Sequence, residues 1–163
     1  MRTTKLLVCA LLAIVVSGCA TSPIPEGYTG PRAVISDWSR SESTYRASIF
    51  YVAEVNARPI KTSLEATRQR NSGRGFMMNT TTIDREVPAT TLTLKLKGTT
   101  VYGAPIQELL MAATMYSVED VVEVSLTSGE RYVVRGDLFE DKRAIWLENA
   151  STGERVGKSI QPK

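Results

Sequence analysis

The stretch Arg46–Val55, RASIFYVAEV, constrains the fold more than any other part of the chain. Ile49, Tyr51, Ala53 and Val55 fall at one parity, Phe50 and Val52 at the other. Successive side chains of a strand point to opposite faces, so apolar residues at both parities predict a central strand covered twice. Asn56-Ala57-Arg58-Pro59 ends it, because proline has no amide hydrogen to give a ladder.

Other segments carry the same period more simply. Arg32 to Asp37 reads as a first strand, and Phe76 to Ile83 as a later one. Leu92, Leu94 and Leu96 alternate with Thr91, Thr93, Lys95 and Lys97, the pattern of a half-buried strand with a wet face. Val122, Val124 and Leu126, then Thr127-Ser128-Gly129-Glu130, then Tyr132 and Val134 give a hairpin signal. A second hairpin is predicted from Ala144–Glu148, a turn through Asn149–Gly153, and a return over Glu154–Lys158.

Between these, Ser63 to Arg68 predicts a short helical turn capped by Ser63, with Glu65 near its positive end. Asn71 to Gly75 follows as a loop. Pro105 to Tyr116 is ambiguous: Ile106, Leu109, Leu110 and Ala113 fit helical spacing, yet the surrounding β pattern can absorb Val101 to Ile106. A strand to about Ile106 followed by a short helix is the reading adopted. About eight short strands with regularly spaced turns predict a mainly β chain, an antiparallel β-sandwich with one or two short helices. Trp38, Trp146, Phe76, Met77 and Met78 are expected in its core, the last three alternatively as an adaptable contact surface.

The N-terminus is of another kind. Met1 to Lys5 carries Arg2 and Lys5, and Leu6 to Val16 is an unbroken apolar run. Eleven helical residues rise about 16 Å, against a hydrocarbon core of roughly 30 Å. The run predicts a secretory signal helix, not a permanent span. Its end, Val16-Ser17-Gly18-Cys19, resembles the lipobox of bacterial lipoprotein precursors. The resemblance implies cleavage between Gly18 and Cys19 and a diacylglycerol on the Cys19 sulfur. It also implies that membrane lipid is one partner, with Ala20 favouring the outer membrane over the inner. The alternative is an ordinary signal peptide with an incidental cysteine. Ala20 to Pro31, rich in proline and glycine, predicts a tether reaching at most roughly 40 Å. The expected organisation is therefore a signal peptide at 1–18, a lipidated cysteine and tether at 19–31, and one domain at 32–163.

Composition then narrows the chemistry. Without residues 1–18 the chain keeps 145 of its 163 residues, enough for one domain with a real core. Losing Arg2 and Lys5 lowers the formal net charge from +3 to +1, which gives no support to a nucleic-acid partner. Cys9 leaves with the signal and Cys19 is lipidated, so no disulfide is expected. With no histidine, the commonest general base and metal ligand is missing, and no metal or other cofactor is expected.

Catalytic patterns are equally sparse. There is no G-x-S-x-G elbow and no Ser-x-x-Lys; Ser159 and Lys163 stand one residue too far apart. Glu119-Asp120 and Glu140-Asp141 are adjacent pairs, expected to border turns and not to face each other as glycosidase carboxylates must. The feature that points to binding is basic. Arg58, Lys61, Arg68, Arg70, Arg74 and Arg85 crowd one segment against Glu65 and Asp84. Arg68, Arg70 and Arg74 are candidate contacts for lipid phosphate, lipopolysaccharide, peptidoglycan carboxylates or an envelope protein, because the guanidinium fork suits such anions. The competing account is a solvated loop whose arginines serve solubility.

Residues 85–157 also resemble small bacterial envelope lipoproteins with immunoglobulin-, transthyretin- or PEGA-like sandwiches. The likeness rests on Val87-Pro88-Ala89, on Gly129-Glu130-Arg131-Tyr132-Val133-Val134 and on Thr152-Gly153. It implies a fold and supplies no catalytic residues. The expected role is a periplasm-facing, lipid-anchored structural or binding component of the outer membrane. An accessory adaptor of a secretion or envelope-assembly machine is the alternative, and a cryptic hydrolase the third.

Overall fold

The computed structural model describes residues 22–160, so Gly18, Cys19 and the predicted signal helix lie outside the described residues. Residues 22–31 contain neither helix nor strand. Tyr28 closes a turn on Pro25, and the Pro31 carbonyl accepts from the Ala89 amide at 2.8 Å as the chain enters the domain.

The chain then runs β1 (Arg32–Ser36), β2 (Trp38–Ser41), β3 (Arg46–Val55), β4 (Arg58–Pro59), α1 (Ser63–Asn71), β5 (Asp84–Pro88) and β6 (Thr91–Tyr102). It continues through α2 (Pro105–Leu110), a 3-10 turn at Ala112–Thr114, β7 (Ser117–Ser125), β8 (Arg131–Leu138), β9 (Arg143–Asn149), β10 (Arg155–Val156) and β11 (Lys158–Ser159). Two sheets result, ordered β10-β9-β8-β1-β5 and β11-β7-β6-β3-β2, with β4 added beside β3. Among the described strands every pairing is antiparallel except β1 with β8. The protein is mainly β, a sandwich-like pair of sheets with two short helices.

The core lies between the sheets. Leu92, Leu94 and Leu96 of β6, Phe50 and Val52 of β3, and Val122 and Val124 of β7 meet Ile35, Val87, Val134 and Leu147 from the other sheet. The predicted wet face of β6 is real: Lys95 and Lys97 pair with Glu54 and Glu119. The second apolar face of β3 is also covered, as its parity required. Ala47, Ile49 and Tyr51 pack with Val101 beneath Leu64 of α1 and Met78. Among the described residues the core lies between Ala33 and Leu147, so a chain starting at Ala20 contains all of it.

Several expectations are corrected. A bulge at Ala53 shifts the β3–β6 register, so Val55 joins Phe50 and Val52 in the main core instead of following Ile49 and Tyr51. Asn56 and Ala57, both at positive φ, turn the chain straight back, and Arg58–Pro59 pairs beside β3. The helix cap is Thr62, not Ser63: its hydroxyl accepts from the Glu65 amide at 3.2 Å while the Glu65 carboxylate accepts from the Thr62 amide at 2.9 Å. The predicted strand Phe76–Ile83 does not form. Part of its backbone is satisfied from α1: Asn71 donates to the Asn79 carbonyl and accepts from the Asn79 amide, both at 2.9 Å, and Thr67 accepts from the Thr81 amide.

The predicted hairpin around Thr127–Glu130 is an arch. Its arms, β7 and β8, belong to opposite sheets. Alternation reveals a buried face but not which ladder a strand joins. The β9–β10 hairpin does form, after which the chain crosses at Gly157 to the other sheet. Strand β6 stops at Tyr102, and Pro105 opens α2 as its first residue, so no strand reaches Ile106.

Candidate functional site

The described chain has two dissimilar ends. At one, β1 begins beside the Thr127–Glu130 arch, where the Gly129 amide donates to the Arg32 carbonyl at 2.8 Å. At the other, β6 ends opposite Arg46, and the segment after α1 folds over it. Met78 donates its amide to the Thr44 carbonyl at 2.8 Å, and Gly103 donates to the Tyr45 carbonyl at 3.0 Å. A Cβ at Gly103 would overlap the Phe76 carbonyl, so the chain crosses here only because position 103 has no side chain.

This crossing leaves a cavity of about 460 Å³ between the end of α1, residues 72–78, the end of β6 and the start of α2. Phe76, Met78, Val101, Tyr102 and Ile106 are its large apolar lining residues, and Arg68 and Glu108 its charged ones. Such a size and lining are typical of small-molecule pockets.

Around the cavity the surface is unusually apolar. Ile106, Leu109 and Leu110 lie on one face of α2, spaced three and four apart, and that face looks outward. Leu109 is 73% and Leu110 74% exposed, with Met77 at 65% and Phe76 at 60%. Single exposed apolar residues are ordinary, whereas several gathered on one end mark a contact surface. The helical spacing of α2 was legible in the sequence; its outward direction was not. Phe76 and Met77 are exposed, not core, because the segment carrying them is bonded to α1 instead of entering a sheet. Met78 alone packs inward.

The six basic residues predicted as one cluster are divided by the fold. Arg68, Arg70 and Arg74 are all exposed on α1 and the loop after it; Arg68 lines the cavity, Arg74 lies between the lining residues Gly73 and Gly75, and Arg70, two positions from Arg68 on the helix, points elsewhere. Arg68 reaches Glu108 of α2 at 3.4 Å, while Arg70 and Arg74 take no ion-pair partner among the described residues. Arg58 sits in the turn at the opposite end of β3. Arg85 is buried, in a two-point ion pair with Asp37.

The carboxylate pairs supply no facing acid and base. Glu119-Asp120 lies within β7, not at a turn. The hydrogen bond from Lys97, at 2.9 Å, holds the Glu119 carboxyl below the usual carboxylate range. Asp120 instead accepts from the Ser159 hydroxyl at 2.7 Å. Glu140 and Asp141 occupy the β8–β9 turn as expected. Burial pushes the Tyr51 phenol above its ordinary value, keeping it neutral under α1. Trp38 and Trp146 are half-buried: Trp38 packs against the main core, between Phe50 and the Arg135 guanidinium, and Trp146 lies under Arg155. Among the described residues no three His, Cys, Asp or Glu gather in a metal-binding group, and no helix is long and apolar enough to cross a membrane.

Comparison with protein-family models, curated proteins and solved structures finds no match to this chain. The site is defined by its own geometry.

Proposed function

We propose that this protein is a lipid-anchored, periplasm-facing component of the bacterial outer membrane with a non-enzymatic binding role. Acylated Cys19 holds it, residues 20–31 tether it, and the apolar and basic end of the sandwich makes the contact. The observation that carries the reading is the exposed apolar group Phe76, Met77, Ile106, Leu109 and Leu110 at the end of the sandwich where Arg68 lines the cavity and Arg70 and Arg74 lie exposed on the adjoining helix and loop. Strand β6 alone is twelve residues long, about 40 Å at the usual rise. The binding end therefore stands a full sandwich length from the point where the tether enters. A tether of comparable reach leaves that end directed away from the anchoring leaflet, toward envelope proteins, peptidoglycan or lipopolysaccharide. We read the fold as akin to the immunoglobulin- and transthyretin-like sandwiches of small envelope lipoproteins, and the two packed sheets support that kinship.

An adaptor role in a secretion or envelope-assembly machine is the second reading, favoured by the exposed apolar face of α2, which protein partners commonly cover. Two experiments test the proposal. Labelled palmitate is expected to enter the wild-type chain and not Cys19→Ser; labelling that survives the substitution ends the anchoring part. Changing Arg68, Arg70 and Arg74 together to Ser should weaken salt-sensitive association of the Cys19→Ser chain with envelope fractions. Unchanged partitioning at low salt would remove the basic residues from the binding surface.

A further inference from the structure

Resting on that reading of the binding end, we infer that its cavity receives the acyl chain of an anionic amphiphile, with the head group at the mouth edge marked by Arg68 and the Arg74 loop. The division of the site carries this. The one cation among the lining residues, Arg68, comes from α1 with Glu108 of α2 against it, and Arg74 sits in the loop between the lining residues Gly73 and Gly75. The stretch from Val101 to Ile106 is apolar apart from backbone and the Tyr102 hydroxyl, which is taken up by Thr114, and Met78 adds to the apolar lining. A ligand that satisfies both halves has a charged end and a hydrocarbon end.

The cation side is suited to phosphate or carboxylate. Arg68 is held only by a long contact to Glu108, and Arg70 and Arg74 have no carboxylate among the described residues, so guanidinium donors remain for a ligand. The apolar side is concave and compact, bounded by α1, the 72–78 segment and the start of α2. A helical partner segment would need an extended groove with anchors at i, i+3, i+4 and i+7. A chain of methylenes needs only a slot, and each buried methylene contributes about 0.8 kcal/mol. The exposed side chains of α2, Phe76 and Met77 extend the apolar surface beyond the cavity mouth, where the rest of a longer chain can lie.

The test uses the chain from Ala20, which contains all of the described core and needs no detergent. Lysophosphatidylglycerol, kept below its micelle concentration, is titrated by calorimetry beside zwitterionic lysophosphatidylcholine and inorganic phosphate. One site with a clear preference for the glycerol lipid is expected, and no measurable binding of phosphate alone. Ile106→Asp, at a half-exposed position of the cavity wall, should weaken binding of both lipids at least about tenfold, a change of 1.4 kcal/mol. The triple Arg→Ser variant should lose the preference while still binding through the chain. Equal affinity of wild type for both lipids, or an unaltered affinity in a folded Ile106→Asp variant, would overturn the inference.

A photo-crosslinking residue at Leu109 of the full chain in cells separates this failure from that of the wider reading. Lipid adducts support the inference. Protein adducts alone would overturn it and leave the end of the sandwich as a binding surface. No adduct at all would remove both.

Discussion

Arg85→Met is expected to destabilise the domain by about 3–5 kcal/mol, because it strands a buried carboxylate. Asp37 is the residue at which the chain leaves β1 in one sheet and enters β2 in the other. Its side chain is fully buried, and that of Arg85 is 5% exposed. Around this pair, Ser63 donates to Asp37 at 2.6 Å, the Val52 amide donates at 3.1 Å, and Arg85 also reaches the Lys61 carbonyl. One carboxylate thereby ties the sheet crossing to the strand before the β3 bulge, to the start of α1 and to β5. A loss of this size is a large share of the roughly 5–15 kcal/mol that holds a typical domain together. Replacing both partners, as Arg85→Met with Asp37→Leu, should recover much of it, since no charge is then left unpaired. Urea unfolding monitored by tryptophan fluorescence measures both. A single variant as stable as wild type would show that the pair is not what holds the crossing.

The second large effect is expected at Phe50. Its ring is completely buried and stacks on Trp38 with centroids 5.4 Å apart. It also fills space left by two glycines. A Cβ at Gly98, its partner across β6, would stand 2.9 Å from the ring, and one at Gly136 in the facing sheet would overlap the ring and the Ala144 carbonyl. Phe50→Ala should therefore cost about 3–5 kcal/mol, the transfer term plus the cavity left behind. Gly98→Ala should also destabilise alone, because the ring and Val118 already occupy its surroundings. In the double variant the added methyl enters vacated space, so the two costs should sum to less than their separate values by about 0.5–3 kcal/mol. Strict additivity in a thermal or urea cycle would mean that the ring does not occupy the glycine space.

What was legible follows from what a pattern encodes. Parity at Leu92, Leu94 and Leu96 names the buried face of β6 because the side-chain period is a local property. Parity at both registers of β3 likewise foretold its two covers. Phe76–Ile83 misled because β period is not specific. The actual partners of that backbone are Asn71 and Thr67, whose amide and hydroxyl match a ladder edge. The Val122–Val134 segment misled differently. Its strands are right and its turn is right, but the two arms chose different sheets.

The candidate site shows the same division. Arg68, Arg70 and Arg74 could be listed from the sequence, since a short stretch of helix and loop keeps them close in any fold. Nothing local distinguishes them from Arg85, whose burial depends on Asp37 lying 48 positions away. The apolar face of α2 was readable as a face. That it looks outward follows only after the two sheets have filled the core without it.

The sequence by itself therefore determined the β class, most strand faces and the closeness of Arg68, Arg70 and Arg74 along the chain, because each depends on neighbours within a few positions. The tertiary structure alone decided which strands share a sheet, which arginine is buried against a carboxylate, and which apolar residues remain outside. Those outcomes depend on contacts between distant segments competing for one enclosed volume.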